Sequence, residues 1–395
     1  MVCACAKYFG FYKVGNLKNQ NARKLVYVLN HIDQSDAEHF FHIIALLDEL
    51  ERRCGWKVML LSEKGGSGIK TVCGREVHYL TSNGKIKRLF LLALALARLR
   101  SQGYRLSFVR ISKPAAIISG LVGRVLGMRV LYWHSGAIHD WDKQKSKPLR
   151  RMFDEFVDQG IVSLVHLFVT GPESMLDYYE KTLRVPKRKL ALLYNDVSVE
   201  RFRPKYENRS DPDEVRLLIV HRLSPVRQTS IYFPYIVDQL NTAAVSGKKF
   251  LLNVIGEGPE LTLLQQQSRE ANVNLTINFL GAIPNPKIQD YYGMADLFLM
   301  PSYREGFPRV MLEAMAMGLP IVATDAGGTL DIVGHNQRKY IVSRDDPRGF
   351  AQMLVALAGD ADARQTLSAE NICFVERFST PVVADMYDRT LCELL

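Results

Sequence analysis

The feature that most restricts how this chain can fold is a rhythm that runs through it twice. Short apolar runs of strand length alternate with helical patterns. In the first half the strand-like runs are Lys24 to Leu29, Lys57 to Leu61, Val77 to Leu80, Arg105 to Arg110, Arg129 to Trp133, Leu164 to Val169 and Leu190 to Tyr194. Helical patterns lie between them: Asp36 to Arg53, Ile86 to Ser101, Ala115 to Leu126, Leu149 to Gln159 and Glu173 to Lys181. A polar stretch with two prolines, Asn195 to Pro212, interrupts the rhythm. It restarts with Glu214 to Val220, Lys249 to Ile255, Asn274 to Phe279, Asp296 to Met300, Pro320 to Ala323 and Lys339 to Val342. Strands joined by helices run parallel, and a parallel sheet needs both faces covered. The expected class is α/β, with two Rossmann-like, doubly wound domains facing a central cleft.

The expected boundaries are 1–200 for the first domain (1–22 an extension), 201–213 for a linker and 214–378 for the second. The segment 379–395 is expected to form a helix that packs back on the first domain. At 395 residues the chain has room for two such units. No run reaches the ~20 apolar residues of a spanning helix, and Met1 to Asn21 lacks the apolar core of a signal peptide. The six cysteines show no metal-ligand spacing and read as free thiols of a reducing compartment.

Ligands of doubly wound sheets sit beyond the carboxyl ends of the strands, so the chemistry is expected in those turns. After the first strand of the second half come Arg222 and Arg227, two guanidiniums able to clamp a diphosphate. Gly256, in Gly256-Glu257-Gly258-Pro259, follows the next strand. Gly281 and Ile283 sit in the turn after the third, where backbone could face a base. After the fourth comes Pro301-Ser302-Tyr303-Arg304-Glu305-Gly306-Phe307-Pro308, then Arg309 and a helix that carries Glu313. Pro suits a first helical position, and the free N–H groups of a helix start favour an anion. Two carboxylates beside an anion site suggest hydroxyl-rich groups next to a phosphate. Gly327 and Gly328 follow the fifth strand, where paired glycines permit close backbone approach.

In order and position these motifs resemble the donor domain of GT-B fold glycosyltransferases of family 4. The hallmark is Glu305-Gly306-Phe307 and Glu313, two glutamates separated by seven residues, with the Pro301-Ser302 lead-in and Glu313-Ala314-Met315-Ala316. Before residue 200 the resemblance rests on the alternation and on Gly171-Pro172-Glu173-Ser174. The chain departs from the pattern at four places: His221 stands for Gly, Arg227 for Lys, Asp331 for Glu, and Gln34-Ser35-Asp36-Ala37-Glu38 for a Gly-rich loop.

The resemblance implies a retaining transfer from a nucleotide-diphosphate sugar to a lipid-linked or surface-glycan acceptor of a bacterium. Arg222 and Arg227 would neutralise the leaving diphosphate, assisted by N–H groups of the helix begun at Pro308. Glu305 would bind donor-sugar hydroxyls and Glu313 the ribose, with no cofactor and no metal. His134, ending the strand before Ser135-Gly136, is expected near the donor sugar. Trp133, Trp141 and Lys143 are expected on the acceptor side. Residues 1–200 hold 31 Lys and Arg against 18 Asp and Glu, so an anionic partner is expected for this half. The segment Ile86 to Arg100, apolar with basic ends, reads as a helix buried on the sheet, with contact to an anionic membrane surface as the alternative. The expected location is cytoplasmic, peripheral at the inner face of the membrane. Competing readings are a sugar-nucleotide epimerase of the same fold and a non-catalytic sugar-nucleotide binder. No aromatic–basic recognition motif supports a nucleic-acid partner.

Overall fold

A computed structural model describes residues 23–32, 37–80, 84–134, 148–204, 214–244 and 248–395. The expected extension, the loop at 33–36 and most of the linker lie outside them. The first lobe runs β1 (Lys24–Leu29), α1 (Ala37–Cys54), β2 (Lys57–Ser62), β3 (Gly68–Val72), β4 (Arg75–Tyr79), α2 (Lys85–Ser101), β5 (Leu106–Arg110), α3 (Lys113–Leu126), β6 (Arg129–Trp133), α4 (Pro148–Leu164), β7 (Leu167–Thr170), α5 (Leu176–Lys181) and β8 (Leu190–Leu192). Its strand order is β3-β4-β2-β1-β5-β6-β7-β8, with parallel pairing except between β3 and β4. That hairpin was not expected from the rhythm. Its two-residue turn, Cys73-Gly74, has positive φ at both positions, the mirror-image turn that matches strand twist.

The second lobe contains β9 (Glu214–Val220), α6 (Thr229–Ala244), β10 (Lys249–Ile255), α7 (Leu261–Gln267), β11 (Leu275–Gly281), α8 (Asn285–Met294), β12 (Leu297–Met300), α9 (Arg309–Ala316), β13 (Ile321–Thr324), α10 (Thr329–Ile332), β14 (Ile341–Val342), α11 (Pro347–Gly359), α12 (Ala361–Val375) and α13 (Thr380–Cys392). Its order, β11-β10-β9-β12-β13-β14, is parallel throughout. Both sheets are covered on two faces. In the first lobe α2, α3 and α4 share one core (Leu96, Ala116, Val162). Helices α1 and α13 share the other (Leu47, Val383, Tyr387).

Helix α13 thus belongs to the second half in sequence and packs on the first lobe. Arg53 grips Asp385 through Nε and Nη2 at 2.9 and 3.0 Å, and Asp388 accepts from Arg23 and from the Trp56 indole at 2.7 Å. Asn195 and Asp196, at the start of the polar stretch between the two rhythms, pin the lobes together. Asn195 Nδ2 donates to the Phe307 carbonyl at 2.9 Å. The buried Asp196 carboxylate accepts from Arg309 at 3.1 Å and from Thr380 at 2.7 Å. Two more expectations need correction. The apolar run from Leu164 is helical at its start, because Ile161, Val162 and Val165 are all buried on α4 and its end. Cys54, Cys73 and Cys392 are free thiols, whereas Cys373 is disulfide-bonded.

Candidate functional site

The turns after β9, β10, β11, β12 and β13 gather at one edge of the second sheet, because all five strands run parallel and end on the same side. Backbone hydrogen bonds lace them together. His221 N donates to Ile255 O, Gly256 N to Gly281 O, Leu223 N to Glu257 O and Tyr303 N to Arg227 O, all between 2.6 and 3.1 Å. The contact is too close for side chains. A Cβ on Gly256 would lie 1.9 Å from the His221 carbonyl oxygen, and one on Gly327 would lie 2.1 Å from that of Glu305. Both glycines also have positive φ. Gly328 donates its N–H to Gly306 O at 2.7 Å.

Glu305 stands at the centre of this cluster, buried. Its carboxylate takes both arms of the Arg227 fork, Nε to Oε1 at 2.6 Å and Nη2 to Oε2 at 3.1 Å. A bidentate pair of this kind fixes the guanidinium plane as well as its position. Arg227 Nη1 lies near the Arg222 carbonyl oxygen at 3.4 Å. The Arg222 side chain, five residues earlier, is exposed at the same turn.

Two helix starts behave differently. The first N–H of α6, at Thr229, is taken by the buried Glu260 carboxylate at 3.1 Å, and the other Glu260 oxygen accepts from Ser230 at 2.6 Å. Helix α9 begins one residue later than expected, at Arg309: Pro308 is its extended N-cap and offers no side-chain cap. Although Met311 N donates to Pro308 O at 3.2 Å, no side chain caps the remaining first-turn N–H groups, which suit an anion. Glu260 escaped the sequence reading. The one signal for it was an acidic residue after Gly258-Pro259, which reads as an ordinary turn.

Glu313 is buried on α9 and accepts from the Tyr292 hydroxyl at 3.0 Å. Burial raises its pKa; the Arg309 charge and the Tyr292 hydrogen bond offset part of that. Phe307 is buried too, stacked on Tyr194 at 5.3 Å between centroids and edge-on to Phe378. Arg309 turns toward Asp196. Ile283 is half-buried against the core under the turns.

The first lobe meets this edge directly. Ser174 donates through N and Oγ to Asp331 Oδ2, at 3.2 and 3.3 Å, and its Oγ lies 3.2 Å from Gly327 O. A Cβ on Gly328 would be 2.7 Å from that of Pro172. His134 directly follows β6 at this cleft, buried, with Nδ1 2.9 Å from the Tyr179 hydroxyl. Trp133 is buried beneath it, with the Arg110 guanidinium 4.3 Å from the ring centroid, so it faces core rather than open cleft. Trp141 and Lys143 lie outside the described residues.

His221 stands where the resemblance expects a glycine. Its ring is buried, with Nε2 2.8 Å from Thr229 Oγ1. Burial first, and then the Arg227 charge, hold its pKa well below the usual histidine range. The folded state therefore binds fewer protons than the unfolded chain once pH falls below about 6.5, the ordinary value. Stability is full above that value and declines below it. The melting temperature should fall between about pH 7 and pH 5, and His221→Asn should flatten part of the fall; an unchanged slope would remove His221 from the account.

With this geometry in hand, comparisons with known proteins agree on one architecture. Residues 201–371 match the family model described as glycosyl transferases group 1. A D-inositol 3-phosphate glycosyltransferase of Catenulispora acidiphila is 28% identical over 217 residues, half of each chain. The chain spans about half the length of the first such relatives, 50% and 57%. Among solved structures, sucrose-phosphate synthase from Thermosynechococcus elongatus superposes with a TM-score of 0.71 at 17% identity, over 94% of this chain and 99% of that one. HepE of Anabaena in complex with UDP gives 0.70 at 16% identity, over 94% and 100%. At such identities the likeness is one of fold, and the fold is GT-B.

Proposed function

We propose that this GT-B chain, with its group 1 glycosyl transferase lobe, moves a sugar from a nucleotide-diphosphate donor to a lipid-linked or surface-glycan acceptor, with retention of anomeric configuration and without a metal. The observation that carries the reading is the Arg227–Glu305 fork beside Arg222 and the uncapped start of α9. A diphosphate there would meet two guanidiniums and peptide N–H groups, the donors that stabilise negative charge developing on a leaving group. Glu305, already orienting Arg227, would accept from donor hydroxyls with its remaining lone pairs. Glu313 would reach the ribose. The acceptor would attack from the side the phosphate leaves, and that phosphate would take the acceptor proton. Positioning and charge stabilisation then supply most of the rate. Kinship with a group whose members act on different sugars and acceptors supports transfer over epimerisation.

Among the described residues, no group of three or more His, Cys, Asp or Glu side chains is arranged to hold a metal ion. Because Arg222, Arg227 and the N–H groups at the start of α9 are proposed to carry the charge of the leaving diphosphate, transfer should continue at an unchanged rate in excess EDTA; complete loss, restored by a divalent cation, would overturn the metal-free mechanism. The donor is tested by thermal shift against a panel of nucleotide sugars. A true donor at 100 times its Kd adds about 2.7 kcal/mol. A panel that leaves the melting temperature unmoved throughout would sink the donor assignment. We also place the working enzyme at the inner face of a cytoplasmic membrane. The association proposed is peripheral; among the described residues no helix is long and apolar enough to cross a membrane.

A further inference from the structure

We infer that the N-terminal halves of α2 and α4 form one docking surface for an anionic lipid bilayer, which holds the rim of the first lobe's cleft at the membrane. This deepens the function proposed above and rests on it for its purpose, delivery of a lipid-linked acceptor. The surface itself is argued from the first lobe alone.

Helix α2 buries Leu92, Leu96 and Leu99 in the core and leaves a second apolar stripe outside. Ile86, Phe90 and Leu94, four residues apart, are 86%, 62% and 51% exposed. The segment is thus a helix buried on the sheet along one face, as expected, with its other face open. Helix α4 exposes Leu149, Met152, Phe153 and Phe156, a stripe at i, i+3, i+4 and i+7, each 65–80% exposed. Single exposed apolar side chains are ordinary, whereas stripes of them on neighbouring helices mark a binding surface. The two helices lie in one layer, each packed on α3 between them. Their N-terminal ends follow β4 and β6, which run parallel to their neighbours β2, β5 and β7. Both stripes consequently lie toward the carboxyl edge of the sheet, where the cleft opens.

Charge selects the occupant. Helix α2 begins with Lys85, Lys87 and Arg88, and none of its 17 residues is acidic. Helix α4 begins Pro148-Leu149-Arg150-Arg151, again with no acid in the first turn. A helix dipole disfavours cations at its N-terminus, so folding gains nothing from this placement. The acids nearby are turned inward: Asp154 and Glu155 are half-buried, and Asp158 is buried against Lys113 at 2.7 Å. Apolar side chains rimmed by lysine and arginine suit the interface of an anionic bilayer. A second copy of this chain would set cations against cations.

The test is co-sedimentation of the full chain with phosphatidylcholine vesicles, with and without phosphatidylglycerol. The native chain should bind the anionic vesicles at low salt, and Phe153→Ser/Phe156→Ser and Lys85→Glu/Lys87→Glu should each bind about tenfold more weakly. All these side chains are at the surface, so melting temperature and nucleotide-induced shift should match the native chain. Native-strength binding by both variants, binding equal on neutral vesicles, or a lipid-free dimer that the Phe variant dissociates would overturn the docking surface. None of these outcomes touches the donor site. Loss of the nucleotide shift in the native chain would instead refute the proposed function and leave the docking result standing.

Discussion

Glu305→Ala should lower kcat for sugar transfer by at least about a hundredfold, the range seen when a preorganised charge-stabilising contact is lost. The carboxylate holds two of the three nitrogens of the Arg227 guanidinium, so its removal frees the cation to leave the diphosphate position. It also deletes the acceptor proposed for donor hydroxyls. A turn acid read from sequence carries little packing, and its loss would leave folding untouched. Burial changes that: the Glu305 side chain is 4% exposed and Arg227 26%. Because Arg227 can regain water, the stability loss is only about 1–2 kcal/mol, a few degrees in melting temperature. Glu305→Gln keeps the shape and one acceptor oxygen, and should recover stability before activity. Initial rates at saturating donor, with a melting curve for each variant, decide the matter. Full activity in Glu305→Ala would remove the residue from the mechanism.

The lobes were legible because parallel strands buried on both faces must read as apolar runs. Leu25 to Val28 are wholly buried, and the run Lys24 to Leu29 is a strand from end to end. The turns were legible where chemistry and backbone agree, as at Gly256 and Gly327, where any Cβ would strike a carbonyl. The β3–β4 hairpin was not, because Gly68 to Thr71 are exposed and carry no hydrophobic signal. The contacts of Asn195 and Asp196, in the polar stretch between the two rhythms, were hidden for a related reason. Their partners, Phe307, Arg309 and Thr380, lie more than 110 residues away, and no local pattern reports such a contact. Glu260 was missed because a helix-capping carboxylate from a neighbouring turn resembles any surface acid until the fold brings it to Thr229. The apolar stripe of α4 was hidden by its own periodicity, since i, i+3, i+4, i+7 describes a face toward core equally well.

Arg222→Ala and Arg227→Ala should fail in different ways, and the difference tests the division of labour between the two cations. Arg222 is exposed, and its guanidinium has no partner among the described residues. Its truncation should leave stability within about 0.5 kcal/mol while kcat/KM for the donor falls about a hundredfold, equivalent to about 2.7 kcal/mol of lost phosphate contact. Arg222→Lys should recover part of this, as a point charge replaces a fork. Arg227→Ala should lose activity and stability together, because it strands the buried Glu305 carboxylate without its cation, a penalty of about 1–3 kcal/mol. The double variant Arg227→Ala/Glu305→Ala should then melt above Arg227→Ala while staying inactive, since the orphaned charge is gone and the chemistry with it. Donor titrations and melting curves on the four proteins separate the two roles. An Arg222→Ala variant with unchanged donor affinity would mean that the diphosphate lies elsewhere. A double variant no more stable than Arg227→Ala would mean that the Arg227–Glu305 fork is not what holds this edge of the sheet in place.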